Sequence, residues 1–318
     1  MNRCGKARIP FLFGINFEMS EGFLIEYPRE HSEILFAVSG TTNLKKRRFP
    51  MPGDTPGLDI LHPDYPGYKK KFQIVHEGLM HGNSFLTNLT ERTPICTSLS
   101  LEQIFIHSEA RYKLLIPETL VCFSPECFVR IENGKIYSYP MKGTIDATIP
   151  GAERLLLLNL KEQCEHNTIV DLIRNDISTI ATQVQVERFR YIEKIKTFQG
   201  EILQTSSEIT GRLPGGYLSR LGDTIFKLLP AGSISGAPKP ATIALIRKAE
   251  RQPRGFYTGI FGYFDGENLD SAVMIRYIEK EGENYYFRSG GGITAQSKPE
   301  EEYREILQKI YLPVSRSL

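Results

Sequence analysis

Two short segments concentrate carboxylates at helical spacing. Lys161-Glu162-Gln163-Cys164-Glu165-His166 sets Glu162 and Glu165 three residues apart, and Pro299-Glu300-Glu301-Glu302-Tyr303-Arg304-Glu305 does the same for Glu302 and Glu305. Residues three apart on a helix share a face. Four carboxylates from two facing helices would make an oxygen-only site suited to Mg2+, which takes one or two carboxylates directly and keeps waters. By spacing alone, the same pairs also describe a solvated helix face. Lys142 lies in Tyr139-Pro140-Met141-Lys142-Gly143-Thr144, just after an expected strand, where Pro140 and Gly143 fix a tight exit. A lysine held in a desolvated pocket serves as nucleophile or base, and one in solvent is an ordinary loop residue. Ala272, Met274, Arg276 and Ile278 alternate, so a strand there turns all four to one face. A guanidinium on that apolar face needs an anion, from a protein carboxylate or from a substrate. Two glycine-rich segments, Gly232–Lys239 and Ser289–Thr294, let backbone approach a ligand closely or simply turn the chain. The first is not a phosphate-binding P-loop, because no Gly-Lys-Ser/Thr follows its spacer.

The elements that position these residues are partly readable. Phe11–Ile15 and Gly22–Ile25 predict a hairpin around Met19-Ser20-Glu21, and residues 50–66 read as a loop. Tyr68, Phe72, Val75 and Leu79 trace one helical face that stops at Gly82-Asn83. Phe85–Thr90 reads as a strand and Ser98–Tyr112 as a helix capped by Ser98 or Ser100. Val121–Ile131 and Lys135–Met141 flank Asn133-Gly134, a hairpin turn signal. Residues 151–182 are helical in two pieces, 184–211 form two strands, 217–229 a helix, and Pro238 and Pro240 open another to about Glu250. Phe256–Phe264, Asn268–Glu279 and Glu283–Ser289 read as three consecutive strands, followed by a helix over 299–310. Strands and helices mix without regular alternation, which favours α+β with large antiparallel sheets.

The bulk numbers exclude several classes. The chain has 318 residues, 41% hydrophobic and 24% charged, with a net charge of +2. That is neither a disordered chain nor one built for nucleic acid or a membrane surface. The basic run Lys45-Lys46-Arg47-Arg48 reads as a solvated loop. No apolar run is long enough to span a membrane, and no signal peptide is evident. The five cysteines are scattered, fit no zinc site, and suit thiols in a reduced cytoplasm.

Taken in order, further segments join these. They are Asn88-Leu89-Thr90-Glu91-Arg92, Ser124-Pro125-Glu126, Pro140-Met141-Lys142-Gly143-Thr144 and Glu165-His166-Asn167-Thr168-Ile169-Val170-Asp171-Leu172-Ile173-Arg174-Asn175-Asp176. The Gly232–Lys239 loop, Gly255-Phe256-Tyr257-Thr258-Gly259, Ile275-Arg276, Gly290-Gly291-Gly292-Ile293 and Pro299 to Lys309 complete the set. Together, over about residues 83–310, they resemble the chorismate-utilising enzymes, which include anthranilate synthase component I, aminodeoxychorismate synthase component I, isochorismate synthase and salicylate synthase. The resemblance implies one α+β catalytic domain over 1–318, two large packed antiparallel sheets with outer helices, and a shortened N-terminal part over 1–82. It also implies Mg2+ bridging chorismate's ring carboxylate, with Glu165 and Glu305 as direct ligands and Glu162 and Glu302 acting through water. Tyr257, Arg276, Lys309, Thr144 and the backbone at Gly290 and Gly292 are the implied substrate binders.

Within the family, members that add water carry a lysine general base just before the segment that reads Thr87-Asn88-Leu89 here; this chain has Leu86. Anthranilate synthases carry alanine where Lys142 stands, and aminodeoxychorismate synthases carry lysine, which attacks ring carbon C2 before ammonia adds at C4. The chain departs from the family at Gln204-Thr205-Ser206-Ser207, where His-Leu-Val-Ser is common. Gln204 can hydrogen-bond substrate but cannot transfer a proton. The expected reaction is amination of chorismate to 4-amino-4-deoxychorismate, with ammonia from a separate glutamine amidotransferase subunit and without tryptophan feedback. The rivals are anthranilate synthase component I, which Lys142 argues against, and an inactive relative serving as an assembly partner, which the retained glutamates, Arg276 and Lys309 argue against.

Overall fold

A computed structural model describes residues 1–30, 32–45, 57–197 and 200–313. Beyond Lys45 the basic run, and residues 50–56 of the expected loop, lie outside them. Two antiparallel sheets, each of nine strands among the described residues, pack face to face. The first runs, in order across, β11 (Met141–Asp146), β13 (Gly200–Arg212), β10 (Lys135–Ser138), β9 (Cys127–Glu132), β16 (Leu269–Val273), β15 (Ile260–Phe264), β1 (Phe11–Ile15) and β2 (Gly22–Glu26), with β12 (Thr182–Thr197) paired to β13. The second runs β14 (Gly236–Ala237), β6 (Leu86–Thr97), β18 (Asn284–Ile293), β17 (Tyr277–Glu281), β8 (Leu120–Ser124), β7 (Tyr112–Ile116), β3 (Leu35–Val38) and β4 (Thr41–Thr42), with β5 (Leu58–Ile60) beside β6.

Alternation along each strand explains the layering. Leu12, Phe261, Ala272 and Met274 from the first sheet meet Phe36, Tyr112, Leu114 and Cys122 from the second, all fully buried. The opposite face of the first sheet is covered by α1 (Asn2–Ala7), α5 (Leu160–Ser178) and α6 (Leu221–Leu228), with α4 (Ala152–Leu158) leading into α5. The far face of the second sheet takes α3 (Leu101–His107). α2 (Tyr65–Met80), α8 (Lys239–Glu250) and α9 (Pro299–Gln308) close over β6 and β18, using Tyr68, Phe72, Val75 and Leu79, the face the spacing predicted. Each such side chain contributes about 1.5–3 kcal/mol on leaving water. Among the described residues, no helix is long and apolar enough to cross a membrane. All five cysteines are free thiols.

Three expectations need correction. The helix expected over Ser98–Tyr112 covers only α3: Ser100 and Gln103 form a capping box, and Tyr112 opens β7 because its ladder to β3 and β8 outweighs one more helical turn. Val121–Ile131 is two strands in different sheets. Pro125 has no N–H to continue a ladder, and the chain crosses from the second sheet to the first there. Asn268–Glu279 is likewise divided, crossing back between Met274 and Arg276, and Arg276 takes a left-handed φ of 53°. Arg276 therefore sits in a corner rather than on a strand face with Ala272 and Ile278. The two crossings are bonded side by side, Phe123 N–H to the Arg276 carbonyl at 3.0 Å and Val273 N–H to the Glu126 carbonyl at 3.2 Å. This pairing brings Glu126 and Arg276 to one place.

Candidate active site

At that corner a cleft of about 540 Å³ opens, bounded by the two crossings, the edge strand β11, the ends of β18, and helices α5 and α9. Its volume is that of a small-molecule site. All twelve residues singled out from the sequence line it: Lys142, Thr144, Gln204, Tyr257, Arg276, Gly290, Gly292, Lys309, Glu162, Glu165, Glu302 and Glu305.

The glutamates arrive as two facing pairs. The Asn159 side chain caps α5 by accepting from Glu162 N–H, and Pro299 opens α9. Glu302 is buried, with Ser297 Oγ donating to its Oε1 at 2.6 Å. Glu305 accepts from Lys309 Nζ at 2.7 Å, and Glu165 lies 3.7 Å from Lys142 Nζ. Gly143 has a φ of +75°, a conformation that strains any side chain, and a Cβ there would come within 3.1 Å of Glu162 Oε2. All four line the cleft, with Glu302 buried and Glu305 about half exposed. Among the described residues, no three His, Cys, Asp or Glu side chains converge on one point for an ion. An oxygen-only set from two helices still suits a hard cation such as Mg2+, which needs few protein ligands when waters and substrate complete its shell.

Lys142 lies within β11, not after a strand. Gly143 forms a bulge against β13, with Lys142 opposite Thr205 and Thr144 opposite Gln204. Bulges re-aim side chains at sheet edges. Thr205 Oγ1 donates to the Lys142 carbonyl, pinning the bulge. A Cβ built on Gly292 would stand in ordinary contact with Lys142 Nζ at 3.5 Å and crowd Leu86 Cδ1 at 3.1 Å, so Lys142 and Leu86 both lie near this glycine. The triple glycine is part of β18, paired with Thr90, Leu89 and Asn88 of β6, rather than a turn after it. Next to Glu165, His166 is buried; desolvation, then Arg190 and Lys142, push its pKa down to about 4. Its neutral ring bonds Ser207 Oγ at 2.6 Å and ties α5 to β13.

One wall of the cleft carries unmatched polar groups. Arg276 donates from Nη1 to the Lys309 carbonyl at 3.3 Å, but its buried Nε has no partner among the described residues. Asn88 Oδ1 and Ser289 Oγ, also lining the cleft, share that state. Buried polar atoms cost free energy when unpaired, so this wall is built to receive something polar. Lys309 donates to the Gly290 carbonyl at 2.8 Å, and burial lowers its pKa. Burial raises the Tyr257 hydroxyl's pKa, keeping it a donor.

Sequence reasoning did not place Glu126 or Ser233 in the site. Glu126 shows some surface to the cleft, but burial raises its pKa; the Ser233 bond and the charges of Lys142 and Arg276 oppose that rise. Ser233 Oγ donates to Glu126 Oε1 at 2.5 Å. Ser233 belongs to the short helix α7 (Gly232–Ser235); just beyond it Lys239, at the start of α8, pairs with Asp176 of α5 at 2.6 Å. The signal available was Ser124-Pro125-Glu126 itself, a carboxylate beside a proline that ends a strand.

Comparison with known proteins agrees with this geometry. The sequence profile described as chorismate binding enzyme matches residues 25–314. An "uncharacterized PabA-like protein" of Haemophilus influenzae is 51% identical over 318 residues, covering 98% of this chain and 95% of that one. Anthranilate synthase component 1 of Aquifex aeolicus is 36% identical over 195 residues, 58% of this chain and 38% of that one. In three dimensions, the menaquinone-specific isochorismate synthase MenF of Escherichia coli superposes with a TM-score of 0.72 at 17% identity, covering 94% of this chain and 77% of that one, a likeness of fold alone. With a profile match across nearly the whole chain and two packed antiparallel sheets around one polar cleft, this protein belongs to the chorismate-binding enzyme family.

Proposed function

We propose that the protein is an aminodeoxychorismate synthase component I: it aminates chorismate at C4 with ammonia, using Lys142 as nucleophile, and takes that ammonia from a glutamine amidotransferase subunit. The observation that carries this reading is Lys142 Nζ in the cleft, 3.7 Å from Glu165 and beside Leu86. With leucine at position 86, that wall offers no group to activate water. Arg276, with its unmatched Nε, and Lys309 suit a substrate carboxylate, and Glu162, Glu165, Glu302 and Glu305 would hold Mg2+ against the other. A bound Mg2+ would neutralise the ring carboxylate and draw charge from the conjugated ring.

The chain's own groups can then balance the chemistry. The Lys142 ammonium first loses a proton to water, which it regains on release; its amine then forms a bond to C2, the two ring double bonds shift, and the C4–oxygen bond breaks. Glu126, whose pKa burial raises, is placed to supply the proton that makes the leaving group water. Ammonia forms the C4–nitrogen bond, the double bonds shift back, and the C2–nitrogen bond breaks to release Lys142. The surplus proton returns to Glu126. Covalent catalysis of this kind divides one hard displacement into two easier ones.

The test is incubation with chorismate, ammonium and Mg2+, with and without an added aminodeoxychorismate lyase. Formation of 4-aminobenzoate only in the presence of lyase supports C4 amination. Anthranilate with pyruvate would overturn it in favour of C2 amination, and absence of any product would favour a binding role.

A further inference from the structure

Helix α2 lends no residue to the lining of the cleft, yet it places a buried hydroxyl behind the α9 carboxylates. Tyr68 is 0% exposed, and its Oη has no hydrogen-bond partner among the described residues. Phe72, one turn on in the same apolar cluster, shows that this face of α2 accepts a ring with no hydroxyl. A buried donor left unpaired costs free energy, so packing alone favours phenylalanine at position 68 as well. We propose that Tyr68 is a positioning residue for the carboxylate wall: its hydroxyl donates to Glu302 and fixes that carboxylate in the orientation that holds a divalent cation. The inference rests on the cation reading of the four glutamates, not on which ring carbon is aminated.

The surroundings of the hydroxyl single out Glu302. The Tyr68 ring packs against Tyr303, the residue after Glu302, with centroids 5.0 Å apart. After burial itself, the charge of Glu302 acts most strongly to raise the Tyr68 pKa, followed by Glu91 and Glu305, so the group stays a donor. Glu91 is already engaged: Lys71, three residues along α2 and on the same face, donates to both its oxygens at 3.0 Å. Glu302 is buried and takes Ser297 Oγ on Oε1, from the chain leading into α9. A Cβ on Gly291 would stand 3.5 Å from Glu302 Oε2, which sets that oxygen at the glycine edge of the cleft. Outer donors of this kind orient carboxylates that ligate metals. The exposed side of α2 grips α9 through a different hydroxyl: Tyr65 donates to Glu300, and Lys69 lies 3.6 Å from the same oxygen. Tyr65 thus joins the two helices at the surface, and Tyr68 is left for the carboxylate that lines the cleft.

The test follows uptake of Mn2+, a paramagnetic stand-in for Mg2+, by loss of the free-ion electron paramagnetic resonance signal, with chorismate present and ammonium left out. Tyr68→Phe keeps the ring and removes the hydroxyl; Tyr65→Phe removes the surface hydroxyl and is the control. Tyr68→Phe should weaken Mn2+ binding about tenfold, while Tyr65→Phe leaves it within about twofold. The melting temperature of metal-free Tyr68→Phe should equal or exceed that of the wild type, because an unpaired buried donor is gone. Unchanged Mn2+ affinity in Tyr68→Phe would overturn the assignment and leave the cation site standing. Equal weakening in both variants would overturn it in favour of general packing of α2 on α9. A lower melting temperature for metal-free Tyr68→Phe would also overturn it, by showing a hydroxyl already engaged in the fold. A wild type that takes up no Mn2+ would overturn the cation reading, and the inference with it, while C4 amination is judged by its own product test.

Discussion

Two arginines, 22 positions apart, sit in opposite circumstances. Arg254 is 1% exposed and saturated: it grips both oxygens of Glu250 at 2.8 and 2.7 Å and reaches the carbonyls of Ile234 and Asn88 and the Thr258 hydroxyl. Glu250 in turn accepts from Thr90 N–H and Oγ1. Arg276, in the corner between sheets, makes one long bond to a carbonyl and leaves Nε unmatched. The first network joins β6, α8, α7 and the Tyr257 segment behind the cleft, so it holds the site's frame. The second has capacity to spare. The contrast is between a buried charge that the protein completes and one that keeps bonding capacity beside the cleft.

Substitutions can break or sharpen that contrast. The largest effect should come from Lys142→Ala, which lowers C4 amination by about 10³-fold or more while the melting temperature barely moves; thermal melts and product analysis check both. Next, Glu250→Ala should cost about 3–5 kcal/mol of stability in denaturant titration, because it strands Arg254 in the interior. Arg276→Ala should do the reverse, raising the chorismate KM by roughly 10–100-fold for less than about 1 kcal/mol of stability. If Arg276→Ala unfolds the chain and Glu250→Ala does not, the contrast is wrong. The smallest effect belongs to Ser233→Ala, about a tenfold loss in kcat recovered by Ser233→Thr. Its pH dependence has a definite sign. The Ser233 bond opposes the rise in the Glu126 pKa, as do Lys142 and Arg276, so losing the bond lets that pKa climb further. A step needing protonated Glu126 then persists to higher pH, and the basic limb of the kcat profile moves alkaline. Movement toward acid would contradict the assigned role.

Local features were legible where one physical signal dominated. The β1–β2 hairpin, the apolar face of α2, the two-piece helix over α4 and α5, and the carboxylate pairs all follow from periodicity, caps and turn residues. The corners did not. Apolar residues flank both crossings, in Cys122–Val129 and Ala272–Ile278, so the hydrophobic pattern alone does not show that the chain changes sheet, and Pro125 was the one local signal at the first. Arg276 was therefore assigned to a strand face, and Glu126 was passed over. Gly290–Gly292 resembled a turn because glycine seldom favours a ladder, yet a Cβ would crowd the Leu89 carbonyl and Thr90 at Gly290 and Leu86 at Gly292. The set of twelve cleft residues came mainly from the family resemblance, since spacing alone left both the glutamates and Lys142 with an ordinary surface reading.

The most direct test of Lys142 as the nucleophile is peptide mapping by mass spectrometry, after mixing enzyme with chorismate and Mg2+ in the absence of ammonia and quenching. The expected result is a peptide carrying Lys142 that is heavier by one chorismate less one water, and that loses this mass when ammonium is added before the quench. An unmodified Lys142, in enzyme that forms the C4 amino product in a parallel reaction, would contradict it.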